Sequence, residues 1–243
     1  MKNDHPATKS FLLSLRNARE ALAISVPTAF ESVFGKADPK VCDERLTTFA
    51  SNVVANADVH VTVVGRENMV PGVTHLIMSN HQSLYDIPIL YYALGSNMRM
   101  VTKGELFALP IFGAALRGSG FVRIDRRNRK QAIGALGEAK KVVESGVNIW
   151  LAPEGTRSRT GKLGPFKKGG FILAVETSMP VLPVTISGTN EILSASGFRS
   201  KYGVDVRVTI HPPIDPSSYV GSMVERRDQL MVDVRKAFER GLT

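Results

Sequence analysis

The stretch Asn80-His81-Gln82-Ser83-Leu84-Tyr85-Asp86 sets a histidine and an aspartate five residues apart, directly after the apolar run Thr74-His75-Leu76-Ile77-Met78-Ser79. A carboxylate that accepts a proton from one imidazole nitrogen fixes the tautomer and leaves the other nitrogen basic, in a side chain that titrates near pH 6.5 when unperturbed, a value of about that size holding for model peptides. Such a pair is a general base able to activate an alcohol. Ser83 and Asp86 also fit a capping box, with Ser83 as N-cap and Asp86 at the third helical position. On these residues alone both roles stay open.

A second polar group, Pro153-Glu154-Gly155-Thr156-Arg157, follows the apolar run ending at Leu151. Loops just past strand ends are where open α/β sheets place ligands. The Arg157 guanidinium can grip a phosphate with two parallel hydrogen bonds, and Glu154 is better suited to orienting Arg157 or the loop than to meeting an anion. A surface ion pair between Glu154 and a nearby arginine is the plainer alternative. Lys103 and Arg126 end two further strand-like runs, either as solvated termini or as parts of a basic edge beside the histidine.

Other chemistries lack their residues. Five residues separate Gly155 from Gly161-Lys162 where a P-loop has four, and Leu163 stands where Ser or Thr would hold magnesium. No G-x-S-x-G elbow supplies a serine nucleophile. Cys42 is the single cysteine, and His5, His60, His75 and His211 fall at no metal-ligand spacing, reading as surface or strand residues. No metal and no resident cofactor are expected.

The elements that must position these groups follow from hydrophobic period. Phe11, Leu15, Leu22 and Val26 predict an amphipathic helix over 8–34, bent or stopped near Pro27 and closed by Gly35. Leu46, Phe49, Ala50, Val53 and Ala57 predict a second, so 1–57 reads as a two-helix appendage, packed on the core or in contact with a membrane. From residue 58 strands and helices alternate: strands at 59–64, 74–79, 98–103, 120–124, 147–151, 181–187 and 204–211, helices at 86–95, 129–145, about 167–177 and 222–240. This is an α/β chain with a central sheet covered by helices.

A chain of 243 residues with 43% hydrophobic content suits one domain plus an appendage. A formal charge of +9 points to an anionic partner: nucleic acid, a phosphorylated substrate or an acidic membrane. Basic residues are not interleaved with aromatics, which disfavours nucleic acid. Arg16, Arg19, Glu20, Pro27 and Glu31 interrupt the best apolar stretch, so no transmembrane span or secretory signal is expected, and a reducing cytoplasmic setting is.

The blocks NHQSLYD (80–86), KGELFALPIFG (103–113), GFVRIDR (120–126), PEGTRS (153–158) with GPFKKGGF (164–171), and VLPVTI (181–186) together resemble the glycerolipid acyltransferases, most closely those acting on 1-acyl-glycerol-3-phosphate. The likeness covers roughly 59–190, with a motif core at 75–190. It implies a glycerol-3-phosphate acyltransferase-like fold, a central mixed sheet flanked by helices, in an acyltransferase domain at 58–243. It implies a one-step transfer in which His81, oriented by Asp86, deprotonates the 2-hydroxyl of lysophosphatidic acid for attack on acyl-CoA or an acyl-carrier protein thioester, giving phosphatidic acid. Lys103, Arg126, Glu154, Gly155, Thr156 and Arg157 are then the residues at the acceptor phosphate. The 1–57 pair looks like the membrane-dipping helices of members without a transmembrane anchor, which suggests peripheral attachment to the cytoplasmic face. Acylation of another lysolipid, such as a lyso-ornithine lipid, is the neighbouring reading, and a noncatalytic module for anionic lipids is the remaining one.

Overall fold

Asp38 and Pro39 start a helix in the expected way: the Asp38 carboxylate accepts the Lys40 N–H at 2.8 Å, and Pro39 takes a first-turn position where its missing N–H costs nothing. This helix, α2 (Pro39–Asn56), follows α1 (Phe11–Val33), which begins on a Ser10 cap and ends before Gly35 at φ +66°. Pro27 does not stop α1. The helix lies along α2 and along α4 (Pro110–Gly118), and this packing outweighs the roughly 3 kcal/mol that an interior proline costs. The approach to α4 is close enough that a Cβ on Gly118 would stand 2.7 Å from Ser32 Cβ. The computed structural model describes residues 10–124 and 129–242, the side chains of 129–136 excepted.

Seven strands form one sheet: β1 (His60–Val64), β2 (Leu76–Ser79), β3 (Met98–Lys103), β4 (Val122–Ile124), β5 (Asn148–Leu151), β6 (Val181–Ser187) and β7 (Asp205–Ile210), in the order β1-β7-β6-β2-β5-β3-β4. The run from β6 to β4 is parallel, while β7 is antiparallel to β6 and parallel to β1. The sheet is therefore mixed and helix-flanked, as the resemblance implied. The other helices are α3 (Asp86–Leu94), α5 (Arg129–Glu144), α6 (Gly169–Thr177), α7 (Thr189–Ile192) and α8 (Met223–Leu242). Neither α4 nor α7 was expected, and the four residues of α7 are too few to display a helical period.

Successive strand side chains point to opposite faces, and here each face feeds its own core. Ile77, Trp150, Leu182 and Val184 pack with Leu46 and Val53 of α2 and Ile89 and Leu90 of α3. Leu76, Met78, Ile149 and Val181 pack with Phe171 of α6 and Leu230, Val234 and Phe238 of α8. Thus α2 contributes directly to the first core.

α1 is apolar on the wrong side for a helix in water. Leu13, Ser25, Thr28 and Ala29 are its buried residues, whereas Leu12, Phe30 and Val33 are 75%, 66% and 72% exposed, with Phe11, Leu15, Leu22 and Val26 also outward. Among the described residues, no helix is long and apolar enough to cross a membrane.

Two of the histidines read as surface or strand residues are in fact buried. His75 lies just before β2 and His211 just after β7, and burial pushes both imidazoles below their usual value. His75 Nε2 has no hydrogen-bond partner among the described residues.

Candidate active site

Because β2, β3, β4 and β5 are parallel, their carboxyl ends share one edge of the sheet, and the polar motifs emerge there. Past Ser79 the side chain of Asn80 takes over from the backbone ladder: Nδ2 donates to Ile186 O and Oδ1 accepts Ile186 N–H, both at 2.8 Å. This pins the chain to β6 for one more residue. His81 then leaves the sheet.

His81 Nδ1 lies 2.7 Å from Asp86 Oδ2, which also accepts the N–H groups of Gln82 at 2.7 Å and Ser83 at 2.9 Å. The Thr189 hydroxyl donates to Oδ1. Asp86 is fully buried, and its three partners besides His81 all donate, which an ionised, acceptor-only group matches. The proton therefore sits on His81 Nδ1 and the basic nitrogen is Nε2. The capping alternative holds in part. Asp86 accepts the Ser83 N–H as a capping box requires, but α3 begins at Asp86 with Tyr85 as its cap residue, and Ser83 Oγ accepts from Tyr85 N–H at 3.2 Å. One carboxylate shapes the turn and holds the imidazole.

The imidazole stands edge-on to Trp150 of β5, with ring centroids 5.8 Å apart at 86°. Trp150 is fixed by its own Nε1–H, which donates to Ser79 Oγ at 2.9 Å. The histidine side chain is 17% exposed, so one face remains accessible.

Glu154 accepts the His81 N–H at 3.1 Å and the Gly164 N–H at 2.8 Å, while Ser158 N–H donates to His81 O at 2.7 Å. Both backbone groups of His81 are thus tied to the loop between β5 and α6. Among the described residues, Glu154 forms no ion pair with an arginine, so it orients the loop. Gly155, at φ +75°, is buried in the turn, Thr156 is exposed, and Arg157 is half-buried with no ion-pair partner among the described residues. Lys103 is exposed at the end of β3, level with Ile124 of β4. Arg126 lies outside the described residues. Among those described, no cluster of His, Cys, Asp or Glu could hold a metal ion.

An apolar cleft of about 530 Å³ opens beside the His81–Asp86 turn. Its wall includes Leu84 and Tyr85, which lie between His81 and Asp86 in the chain, with Ile24 of α1, Phe49 of α2, Phe112 of α4 and Leu193 after α7. α6 is on the other face of the sheet, where Phe171, Leu173, Ala174 and Val175 are ordinary core.

Thr189, Asn80 and Trp150 are the working residues that the sequence reading missed. Asn80 adjoins the histidine and could have been suspected from its place at a strand end. Thr189 is 103 positions from Asp86 and had no local signal.

A family model described as Acyltransferase matches residues 60–187. A chloroplastic 1-acyl-sn-glycerol-3-phosphate acyltransferase of Brassica napus is 37% identical over 63% of this chain and 44% of its own, and the 1-acyl-sn-glycerol-3-phosphate acyltransferase of Saccharomyces cerevisiae is 34% identical over 72% of this chain and 60% of its own. The chain spans about half the length of the first of these curated relatives. The crystal structure of the 1-acyl-sn-glycerophosphate acyltransferase of Thermotoga maritima superposes with a TM-score of 0.77 at 30% identity, covering 95% of this chain and 93% of that one. With more than half its length under the family model and nearly all of it matched to that structure, the chain belongs to the Acyltransferase family.

Proposed function

We propose that the chain transfers a fatty acyl group from an acyl thioester, carried by coenzyme A or an acyl-carrier protein, to the free 2-hydroxyl of 1-acyl-glycerol-3-phosphate, giving phosphatidic acid. The observation that carries this reading is the His81–Asp86 pair at 2.7 Å, with Nε2 making no hydrogen bond among the described residues and an apolar cleft beside the turn. The names of the relatives support the acceptor. In the proposed step Nε2 takes the hydroxyl proton as the oxygen attacks the thioester carbonyl. The tetrahedral intermediate collapses with loss of the thiolate, which takes the proton back from the imidazolium. Asp86 steadies the imidazolium throughout.

Lys103, Arg126 and Arg157 are proposed to hold the acceptor phosphate, with Glu154, Gly155 and Thr156 shaping the loop. The exposed Lys103, and Arg157 with no ion-pair partner among the described residues, support this, since a cation kept free of a protein carboxylate is available to an anionic substrate. The cleft is proposed to take acyl chain. The outward apolar side chains of α1 support a peripheral seat for 1–57 in the cytoplasmic leaflet, with Arg16 and Arg19 at headgroup level.

The test is product formation by the purified protein from acyl-CoA and a panel of lysolipids, followed as thiol release and as phosphatidate. His81→Ala should fold and lose about 10²-fold or more in turnover. Near-normal turnover in the folded variant refutes the mechanism, and preference for another lysolipid refutes the acceptor.

A further inference from the structure

Asp86 is held by more than the turn it belongs to. Its Oδ2 serves the local donors, His81 Nδ1–H and the N–H groups of Gln82 and Ser83, whereas Oδ1 receives a single hydrogen bond, from the hydroxyl of Thr189. Thr189 is completely buried and opens α7, just beyond the end of β6. The turn that brings it there depends on Gly188, at φ +95°, where any Cβ would collide with the Asp205 carbonyl. The same short element makes a second hold on the catalytic turn, since Ser83 Oγ donates to Leu193 O at 2.7 Å. Two bonds thus join segments more than a hundred residues apart, and one of them ends on the carboxylate that orients the base.

We infer that Thr189 is a positioning residue for the general base: its hydroxyl fixes the rotation of the Asp86 carboxylate and draws off part of its negative charge, which together set the aim and the basicity of His81. The inference rests on the acyl-transfer reading above. The physical argument is that the donors at Oδ2 fix that oxygen but leave the Oδ1 side of the carboxylate able to rock by small rotations about the Cβ–Cγ bond, and each such rotation tilts the imidazole hydrogen-bonded to it. A donor on Oδ1 stops that rotation. It also competes for charge, so removing it leaves Asp86 a stronger partner for the imidazolium. The other ionisable groups packed around the turn are accounted for: Glu154 is engaged by the His81 and Gly164 N–H groups, the Tyr85 hydroxyl accepts from Asn17 of α1 at 2.7 Å, and Glu191 of α7 is exposed and faces Lys201 at 3.9 Å.

Thr189→Val keeps the shape and removes the donor, while Thr189→Ser keeps the donor. With wild type, both are assayed for turnover against pH with acyl-CoA and lysophosphatidate, and the imidazole of His81 is titrated by NMR without substrate. Thr189→Val should lose about tenfold in kcat, less than the about 10²-fold for losing the base itself, with both KM values nearly unchanged. The acid limb of its pH profile and the NMR titration of His81 should both move to higher pH, because a more negative Asp86 favours the imidazolium. Thr189→Ser should restore the rate and both titrations. A folded Thr189→Val with wild-type kcat and an unmoved titration overturns the inference, as does Thr189→Ser behaving like valine. If valine prevents folding, Thr189→Ala omits the same donor and is read in the same way. The titration needs no turnover, so a wild-type protein inactive on all lysolipids would count against the proposed activity and leave the role of Thr189 to be judged by NMR.

Discussion

Replacing Asp86 by asparagine separates charge from geometry, because the surroundings of this carboxylate dictate how an amide would sit. Three donors meet at Oδ2, namely His81 Nδ1–H and the N–H groups of Gln82 and Ser83, so the asparagine carbonyl must occupy that place. The amide nitrogen then faces Thr189 Oγ1, a hydroxyl that can rotate from donor to acceptor. The tautomer of His81 is kept and the carboxylate charge is lost. The attraction lost matters only once the imidazole becomes charged during proton abstraction. For unit charges about 4 Å apart at an effective dielectric near 20 it is roughly 4 kcal/mol, an upper figure of about 10³-fold in rate. Asp86→Asn should therefore lower kcat by roughly 10²- to 10³-fold and leave the KM of both substrates within a few-fold. Steady-state thiol release on protein with a wild-type melting profile measures this. A folded variant with kcat close to wild type, or one affected only in KM, would refute the assignment of Asp86 as the partner of a charged imidazole.

Three further outcomes are expected. Arg157→Ala should raise the KM for the phosphorylated acceptor by roughly 10- to 100-fold, the worth of one or two charge-assisted hydrogen bonds, with the KM for acyl-CoA nearly unchanged; equal weakening of both substrates would mark Arg157 as structural. The pair Leu12→Ser and Phe30→Ser, both on exposed positions of α1, should leave thermal stability intact but cut co-sedimentation with anionic vesicles by about tenfold or more, and unchanged binding would move the membrane contact elsewhere. His75 is kept neutral by burial, so its folded-state value lies below the unfolded one and the unfolded chain takes up the proton first. Stability should be whole above pH 6.5 or so and fall as the pH drops below it, by up to about 1.4 kcal/mol per pH unit, and His75→Leu should flatten that fall in urea midpoints measured at about pH 7 and pH 5.

Much of the molecule is legible along the chain because the signals are local. His81 and Asp86 meet inside one turn, so their spacing in sequence is close to their spacing in space, and the carboxylate's capping role was visible for the same reason. The strands and the longer helices announce themselves by period, and Asp38-Pro39 and Gly35 mark helix ends by backbone chemistry that acts within a residue or two. Tertiary structure decided the rest. That Glu154 would grip the backbone of His81, that Asn80 would stitch β2 to β6, and that Thr189 would close the far side of Asp86 depend on strands β2, β5 and β6 lying side by side in an order that the chain does not follow. The reversal of β7 and β1, the passage of α1 through Pro27, and the apolar face that α1 turns outward are equally products of packing. A hydrogen bond between groups a hundred residues apart leaves no periodic trace in either segment, and only the assembled sheet brings its two ends together.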